Sequence, residues 1–544
     1  MSNIYPDSIK LEMQFAGTAG AWTDVTDDVI RATPITCTYG IQDSSPLARV
    51  ASTGTFNFSL DNSELNSAGL VGYYSPGHTN CRSGFAAGIT VRFSVIYGGI
   101  SYPKFYGRIP ATGIQIIPGA NKERKTLVEV RDFIEQCAIH EIDSPAFVQS
   151  KTAAELIQLI LAEQSIQPLA TDYKTCEDTF FSAFEDQSLK LNCLSAINDA
   201  CLSEFGYAYI RHDTNNFEKF VVEGRKTRTG ITSATTISVS TPIELCGYLL
   251  KEDGGKFQLE DGSGYIKLDE ASVFSASFDN EQYDAVIQNG NDLYNSVITN
   301  SIPKEYGTAI LYFNSGYFPF ETYNVGGTNR MGTISYEYEY RDIFGAASPF
   351  LGIDVINPVA TVDFKLYNNT SGTGFFSQYT SPVTSVSTNY GNKIVGSLIY
   401  ADPSQHTDVT FYVFGFQVRG TALKSYSEVT SEYVGTVSQF GKSSLTIDMP
   451  YQIGTVIPSS IAGTLLTQYQ NPVTRTENIT FHANSSIQNM MSFLVLDIGD
   501  RFTYQEIVSG INEDYFINGV NFEIYGNNII TFGYKTKQAS LEVF

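Results

Sequence analysis

TGTFNFSLDN at residues 53–62 and GITVRFSVIYGGISYPKFYGRI at residues 88–109 decide the fold. In the first run Phe56, Phe58 and Leu60 alternate with Thr55, Asn57 and Ser59, the period of two that sets apolar side chains on one face of a strand. Asp61-Asn62 ends it. In the second run Ile89, Val91, Phe93, Val95 and Tyr97 share a face, Gly98-Gly99 supplies the freedom of a tight turn, and 100–109 returns. That pattern predicts a hairpin. The intervening 61–88 is longer than most loops of a compact domain, which marks it as functional or as ordered by a partner. Leu70, Val71, Tyr73 and Tyr74 are too apolar for a free loop. They are the candidate contact residues, packing either on an adjacent subunit or back over their own domain.

Working outward, 8–30 holds two weaker strand patterns, and 113–117 and 126–130 two more around a polar turn at 121–125. About six short strands joined by loops fit a small antiparallel barrel or sandwich, ending near Cys137. A helix over 152–163 follows, opened by a Thr152/Glu155 capping-box pattern. A second, over 188–205, places Leu194, Ile197, Cys201 and Phe205 on one face and stops at Gly206, suited to a left-handed cap. A hairpin around 213–216 comes next. The tandem Leu250-Lys251-Glu252-Asp253-Gly254 and Leu259-Glu260-Asp261-Gly262 predicts a β-ribbon with Asp-Gly turns. From 306 to 450 alternating Tyr/Thr/Ser-rich strands predict an inserted β-sandwich, and a short helix around 459–469 precedes Pro472.

The final run repeats the opening one. Gly88, Gly98-Gly99 and Gly107 are echoed by Gly499, Gly510 and Gly519, the outer pairs being 19 and 20 positions apart. A barrel occurring twice follows, the second copy completed by 285–300 with Leu293, Asn295 and Val297.

A chain of 544 residues exceeds one core and implies about three or four domains. Only 17% of residues are charged, while 34 Tyr and 36 Phe stand against one Trp, a β-rich balance. The net charge of −23 disfavours binding to nucleic acid or anionic membrane. The first residues lack a signal-peptide pattern and no run of eighteen apolar residues occurs, so synthesis in the cytoplasm without membrane insertion is expected. Seven cysteines without Cys-x-x-Cys spacing predict reduced thiols rather than a disulfide framework or zinc site.

No catalytic constellation emerges. The five histidines are scattered singly; His140-Glu141-x-Asp143 is a tight polar cluster at a solvated domain edge; and Asp253 and Asp261 lack the further oxygen ligands of a calcium site. Asn368 and Asn478 fall in Asn-x-Thr patterns that matter only in a secretory compartment. No cofactor is expected. The alternatives left open are a β-rich glycoside hydrolase, whose two carboxylates need not be close in sequence, and a carbohydrate-binding module within 306–450.

Trp22-Thr23-Asp24-Val25 with Asp28, Ile35 to Gly40, Gly54 to Asn62, Gly88 to Val95 and Phe105-Tyr106-Gly107 resemble the N-terminal domain of minor tail proteins from long-tailed bacteriophages, the tail hub or baseplate hub family. The likeness resumes at 187–225 and 434–544, covering about half the chain, with 306–433 outside it. It implies a first tube-like antiparallel β-barrel (1–140), an α/β linking domain (141–245) and a second tube-like barrel in two parts (271–305 and 451–544); with the β-ribbon (246–270) and inserted sandwich (306–450) read from the residues, the fold is mainly β with a smaller α+β part. It also implies a structural virion protein at the tail tip, a homotrimer whose six barrels continue a tail tube. Such a ring contacts the tube or a distal tail protein and anchors tip or receptor-binding proteins, and the genome passes through it without specific binding. The acidic excess is then expected on the channel wall, where like charge keeps DNA mobile.

Overall fold

A computed structural model describes residues 4–16, 20–119, 124–143, 147–184, 190–237, 293–307, 426–435, 441–471, 476–505 and 511–542 with their side chains, and the backbone alone of further strand residues between 238 and 506. Mainly β structure results, with five α-helices among the described residues. The two deciding runs form the strand Ser52–Asp61 and the hairpin Thr90–Tyr97/Ile100–Arg108. Phe56, Phe58, Leu60, Val91, Phe93 and Val95 are all buried. Phe93 faces Phe105 across the hairpin but Ser94 faces Pro103, so Lys104 is an extra residue on its strand. Such a bulge re-aims a side chain.

Around these runs the hydrogen-bonded order is Ile35–Gly40, Ser52–Asp61, Lys125–Arg131, Ile100–Arg108, Thr90–Tyr97 and Ser8–Gln14, with all neighbours antiparallel. The C-terminal group runs Gln282–Ile287, Thr474–His482, Ile530–Gln538, Ile511–Ile524, Arg501–Glu506 and Thr236–Val239. Numbered along the chain, the first five strands of both groups lie in the order first, second, fifth, fourth, third, and an earlier strand flanks the third. One pairing differs: Ser8–Gln14 is antiparallel to its neighbour, Thr236–Val239 parallel.

The matching hairpins start alike. Gly88 (φ +87°) donates its N–H to the Ile109 carbonyl at 2.7 Å, and Gly499 (φ +88°) donates to the Ile517 carbonyl at 2.9 Å. Gly107 and Gly519 are not equivalent. Gly107 faces Val91 inside its hairpin, whereas Gly519 lies beyond its own hairpin, opposite Gly40. Nor do Leu293, Asn295 and Val297 complete the second group. Val297 lies on Ser296–Ser301, the middle strand of a separate three-stranded sheet with Val429–Val434 and Ser444–Met449. Its apolar face packs with Ile461 and Leu465 of the helix Val456–Tyr469.

Ile35–Gly40 pairs with the end of Ile511–Ile524, so the two groups share one 14-stranded sheet whose path ends at Thr23–Asp24 and Gln282–Ile287. Their buried apolar side chains form one continuous cluster rather than a core per group. Phe93 stacks on Phe522 across the join, ring centroids 6.2 Å apart.

The segment between the groups supplies helices and a hairpin. Phe133–Ile139, read from sequence as the end of the barrel, is helical, with the Asp132 carboxylate accepting from Ile134 N at 3.1 Å. Ala153–Ala162 forms with its Thr152/Glu155 capping box complete. Cys193–Glu204 ends at Phe205, which takes the left-handed conformation (φ 60°) instead of Gly206. Phe205 is held there beneath the Arg49 guanidinium, 3.6 Å from its ring. Gly206 is required for close approach, since a Cβ there would meet the Glu223 carbonyl at 2.2 Å. The hairpin Tyr207–Asp213/Asn216–Glu223 follows.

Within 304–425 the strands form three small sheets with antiparallel pairing. Of the predicted ribbon, Gly247–Tyr248 pairs with Lys267–Leu268; Asp253 and Asp261 lie outside the described residues.

Candidate functional site

The 61–88 loop is ordered by its own polar side chains. Asp61 accepts from the N–H and hydroxyl of Ser63 at 2.8 and 2.6 Å, and Asn62 accepts from Tyr74 N at 2.8 Å while donating to the Ser75 hydroxyl at 2.6 Å. Asn66 caps the next turn through Ala68 N and Leu70 N. Asp28 ties the loop down: its carboxylate accepts from Ser67 N at 2.6 Å, from the Ser67 hydroxyl at 2.7 Å and from the Tyr74 hydroxyl. Burial, then the bond to Asp28, pushes the Tyr74 phenol well up.

The four candidate contact residues therefore separate. Tyr74 is fully buried against Phe85 and is an internal anchor. Tyr73 is half-buried, with Arg82 held between its ring and that of Phe15. Val71 is half-buried, and Leu70 stands 43% exposed beside an open groove that also touches Phe15, Tyr73 and Arg82. Leu65, which sequence reading passed over, is the most exposed large apolar residue of the loop at 58%.

Beneath the join lies a buried ionic cluster that the sequence did not reveal, because its members are distant along the chain. Glu542 accepts from the Tyr207 hydroxyl at 2.7 Å and pairs with Lys537 at 3.0 Å and Arg49 at 3.8 Å. Arg228 donates to Glu223 at 2.8 Å and Asn518 at 2.7 Å, and lies 3.8 Å from the Tyr207 ring centre. Burial alone would raise the Glu542 carboxyl, but Lys537, Arg49 and Arg228 hold it at about 2. Burial also brings the Lys537 ammonium down to about 8.

A second cluster binds the linking hairpin to both groups. Asp497 accepts from the Tyr39 hydroxyl at 3.0 Å and from His212 N at 2.7 Å, and Asp500 takes a two-pronged bond from Arg211 at 2.8 and 2.9 Å. The His212 Nδ1 bonds the Phe217 carbonyl, which requires the proton on Nδ1; burial keeps the ring below its ordinary pKa. The bulged Lys104 donates to the Phe493 carbonyl on the helix Ile487–Val495, and burial lowers its ammonium to about 8.

Chemically these groups are structural: their charges face one another, inside the fold. Asp132 and Glu218 are buried carboxyls raised by burial to about 7 and about 8. Glu218 accepts from Leu169 N at 3.2 Å. The His140-Glu141-x-Asp143 cluster lies at the surface, where Lys190 reaches Glu141 at 3.3 Å and Asp143 at 3.7 Å. Among the described residues no group of three or more His, Cys, Asp or Glu is placed to hold a metal ion, and no helix is long and apolar enough to cross a membrane.

By sequence the chain matches no family model and no curated protein. Among solved structures it is similar to the tail protein from Neisseria meningitidis MC58, at 9% identity and a TM-score of 0.45 over 97% of this chain and 96% of that one. It is similar to the 43 kDa tail protein of prophage MuSo2 from Shewanella oneidensis, at 8% identity and a TM-score of 0.44 over 98% and 99%. The prophage tail protein gp18 from Listeria monocytogenes EGD-e aligns at 8% identity and a TM-score of 0.38 over 97% and 94%. These scores and identities are too low to carry a function from those proteins to this chain.

Proposed function

We propose that the chain is a structural protein of a bacteriophage tail, the hub at the distal end of the tail tube. The observation that carries this reading is the strand order found twice, in Ile35–Arg131 and in Gln282–Gln538, within one continuous sheet. A subunit holding two like units is what a threefold ring needs to present six around a channel and so meet a sixfold tube, and closed symmetry favours such rings. The sequence resemblance to tail hub proteins supports the same reading. Each strand group is then one tube-like β unit of the shared sheet, and the linking segment and buried ionic clusters hold the two together. Leu65, Leu70 and Val71 on the loop rim, with the half-buried Tyr73 and Arg82 beside them, contact the neighbouring subunit or tube ring, aromatic and arginine side chains being the usual anchors of such contacts. Acidic residues line the bore. The protein performs no catalysis and sits at the tail tip beside tube, distal and receptor-binding proteins.

The test is the mass of the purified chain in solution. A trimer weighs three times 59.9 kDa; a persistent monomer at concentrations up to the millimolar range would reject the ring.

A further inference from the structure

We propose that Cys137 and Cys193 are a peroxide-sensitive dithiol that closes to a disulfide, stapling the helix Phe133–Ile139 to the helix Cys193–Glu204. Both side chains are fully buried and both are free thiols. Gln164 Nε2 lies 3.4 Å from the Cys137 sulfur and 2.6 Å from the Cys193 sulfur, so one amide nitrogen touches both and the two thiols share one site. The backbones are already tied across this point, by Cys193 N to the His140 carbonyl at 3.0 Å and by Asn192 Nδ2 to the Ala138 carbonyl at 2.8 Å.

The two sulfurs differ in a way that assigns their roles. Cys193 is the first residue of its helix, where the free N–H groups of the first turn favour a thiolate. The hydrogen bond from Cys137, and that from Gln164, hold its thiol below the ordinary range. Cys137 is pushed up by the same bond and by burial. Its place at the helix start makes Cys193 the attacking sulfur and leaves Cys137 as the resolving one. Elsewhere in the linking segment, burial pushes the Cys176 thiol up to about 12 and the Cys201 thiol well up, so both stay protonated and slow to react.

Both sulfurs are fully buried, so hydrogen peroxide reaches them through local opening of the linking segment. The Cys193 thiolate attacks one peroxide oxygen, the O–O bond breaks, and the departing hydroxide takes up the thiol proton as water, leaving a sulfenic acid. The Cys137 sulfur then attacks the Cys193 sulfur, the S–O bond breaks, and hydroxide leaves with the Cys137 proton as a second water. Two thiols are oxidised to one disulfide, and one peroxide is reduced to two waters. A chain folded in reducing conditions would be locked in this way once in an oxidising medium.

The inference is independent of the tail reading and is tested on the full chain. After brief exposure to a small excess of hydrogen peroxide, the protein is denatured and its free thiols are counted. Seven should fall to five, non-reduced peptide mapping should join Cys137 to Cys193 with loss of two hydrogens, and Cys176 and Cys201 should remain thiols. In Cys137→Ser, dimedone should trap a sulfenic acid at Cys193. Seven surviving thiols, a cross-link between other cysteines, or oxidation of wild-type Cys193 to sulfinic acid without cross-linking would overturn it.

Discussion

Gly40 lies directly opposite Gly519 in the ladder that joins the two strand groups. Gly40 has φ +91°, and a Cβ there would meet the Asn518 carbonyl at 2.6 Å and Gly519 Cα at 2.9 Å. The join depends on two backbones approaching more closely than any side chain permits. Gly40→Ala is therefore expected to cost about 3 kcal/mol in urea unfolding, the left-handed penalty plus forced separation of the strands. Gly98→Ala, with φ +60° and open space around it, should cost only about 1 kcal/mol. Equal costs would show that the join tolerates a side chain.

Removing Glu542 leaves Lys537, Arg49 and Arg228 facing one another inside the fold, with Glu223 alone to balance them. Breaking a buried pair from one side costs about 3–5 kcal/mol, and Glu542→Ala should lose that much while the exposed Glu155→Ala loses under about 1 kcal/mol. A Glu542→Ala loss below about 1 kcal/mol would mean that water reaches the cluster.

Stability should depend on pH in two windows of opposite slope. Asp132 and Glu218 hold their protons more tightly when folded, at about 7 and about 8 against 3.8 and 4.5 unfolded. Their contribution is complete below the unfolded values near 4, declines as pH rises from there, and is gone once pH passes the folded values of about 7 and about 8. Glu542, held at about 2, contributes above its unfolded value of 4.5 and loses this as pH falls toward 2. Glu218→Gln should remove about 1.4 kcal/mol per pH unit of the decline between pH 5 and 8. An unchanged slope by urea unfolding would exclude Glu218 as its source.

The exposed rim of the 61–88 loop separates assembly from folding. Cutting out 66–80 would remove Tyr74 and its tie to Asp28 and so damage the monomer. Leu65→Ser with Leu70→Ser changes only exposed positions and should shift monomer stability by under about 0.5 kcal/mol each. The double variant is expected to weaken subunit association at least about tenfold in sedimentation; unchanged association would remove this rim from the interface.

Local signals were legible in the sequence wherever one element carries them whole. The alternation Phe56, Phe58, Leu60 and the Thr152/Glu155 capping box each need only a few adjacent residues, and each predicts its element. The helix Phe133–Ile139 was missed although Asp132 and Glu135 sit at capping spacing, because about two turns make a weak periodic signal beside a strong strand. The ionic cluster was illegible because Arg49, Tyr207, Arg228 and Glu542 acquire meaning only when strands from both ends of the chain meet. Glycine spacing suggested the repeat, yet among the described residues only Gly88 and Gly499 share a hydrogen-bond role; Gly519 answers to the join instead, and Gly510 lies outside the described residues.

The central claim is that one chain supplies two like units to a threefold ring. Single-particle imaging of the assembled protein tests it most directly. The account predicts a ring of three subunits in which six similar β units surround an open bore lined mostly by Asp and Glu. A globular particle without a bore, or a ring in which only one of the two strand groups faces the channel, would contradict it.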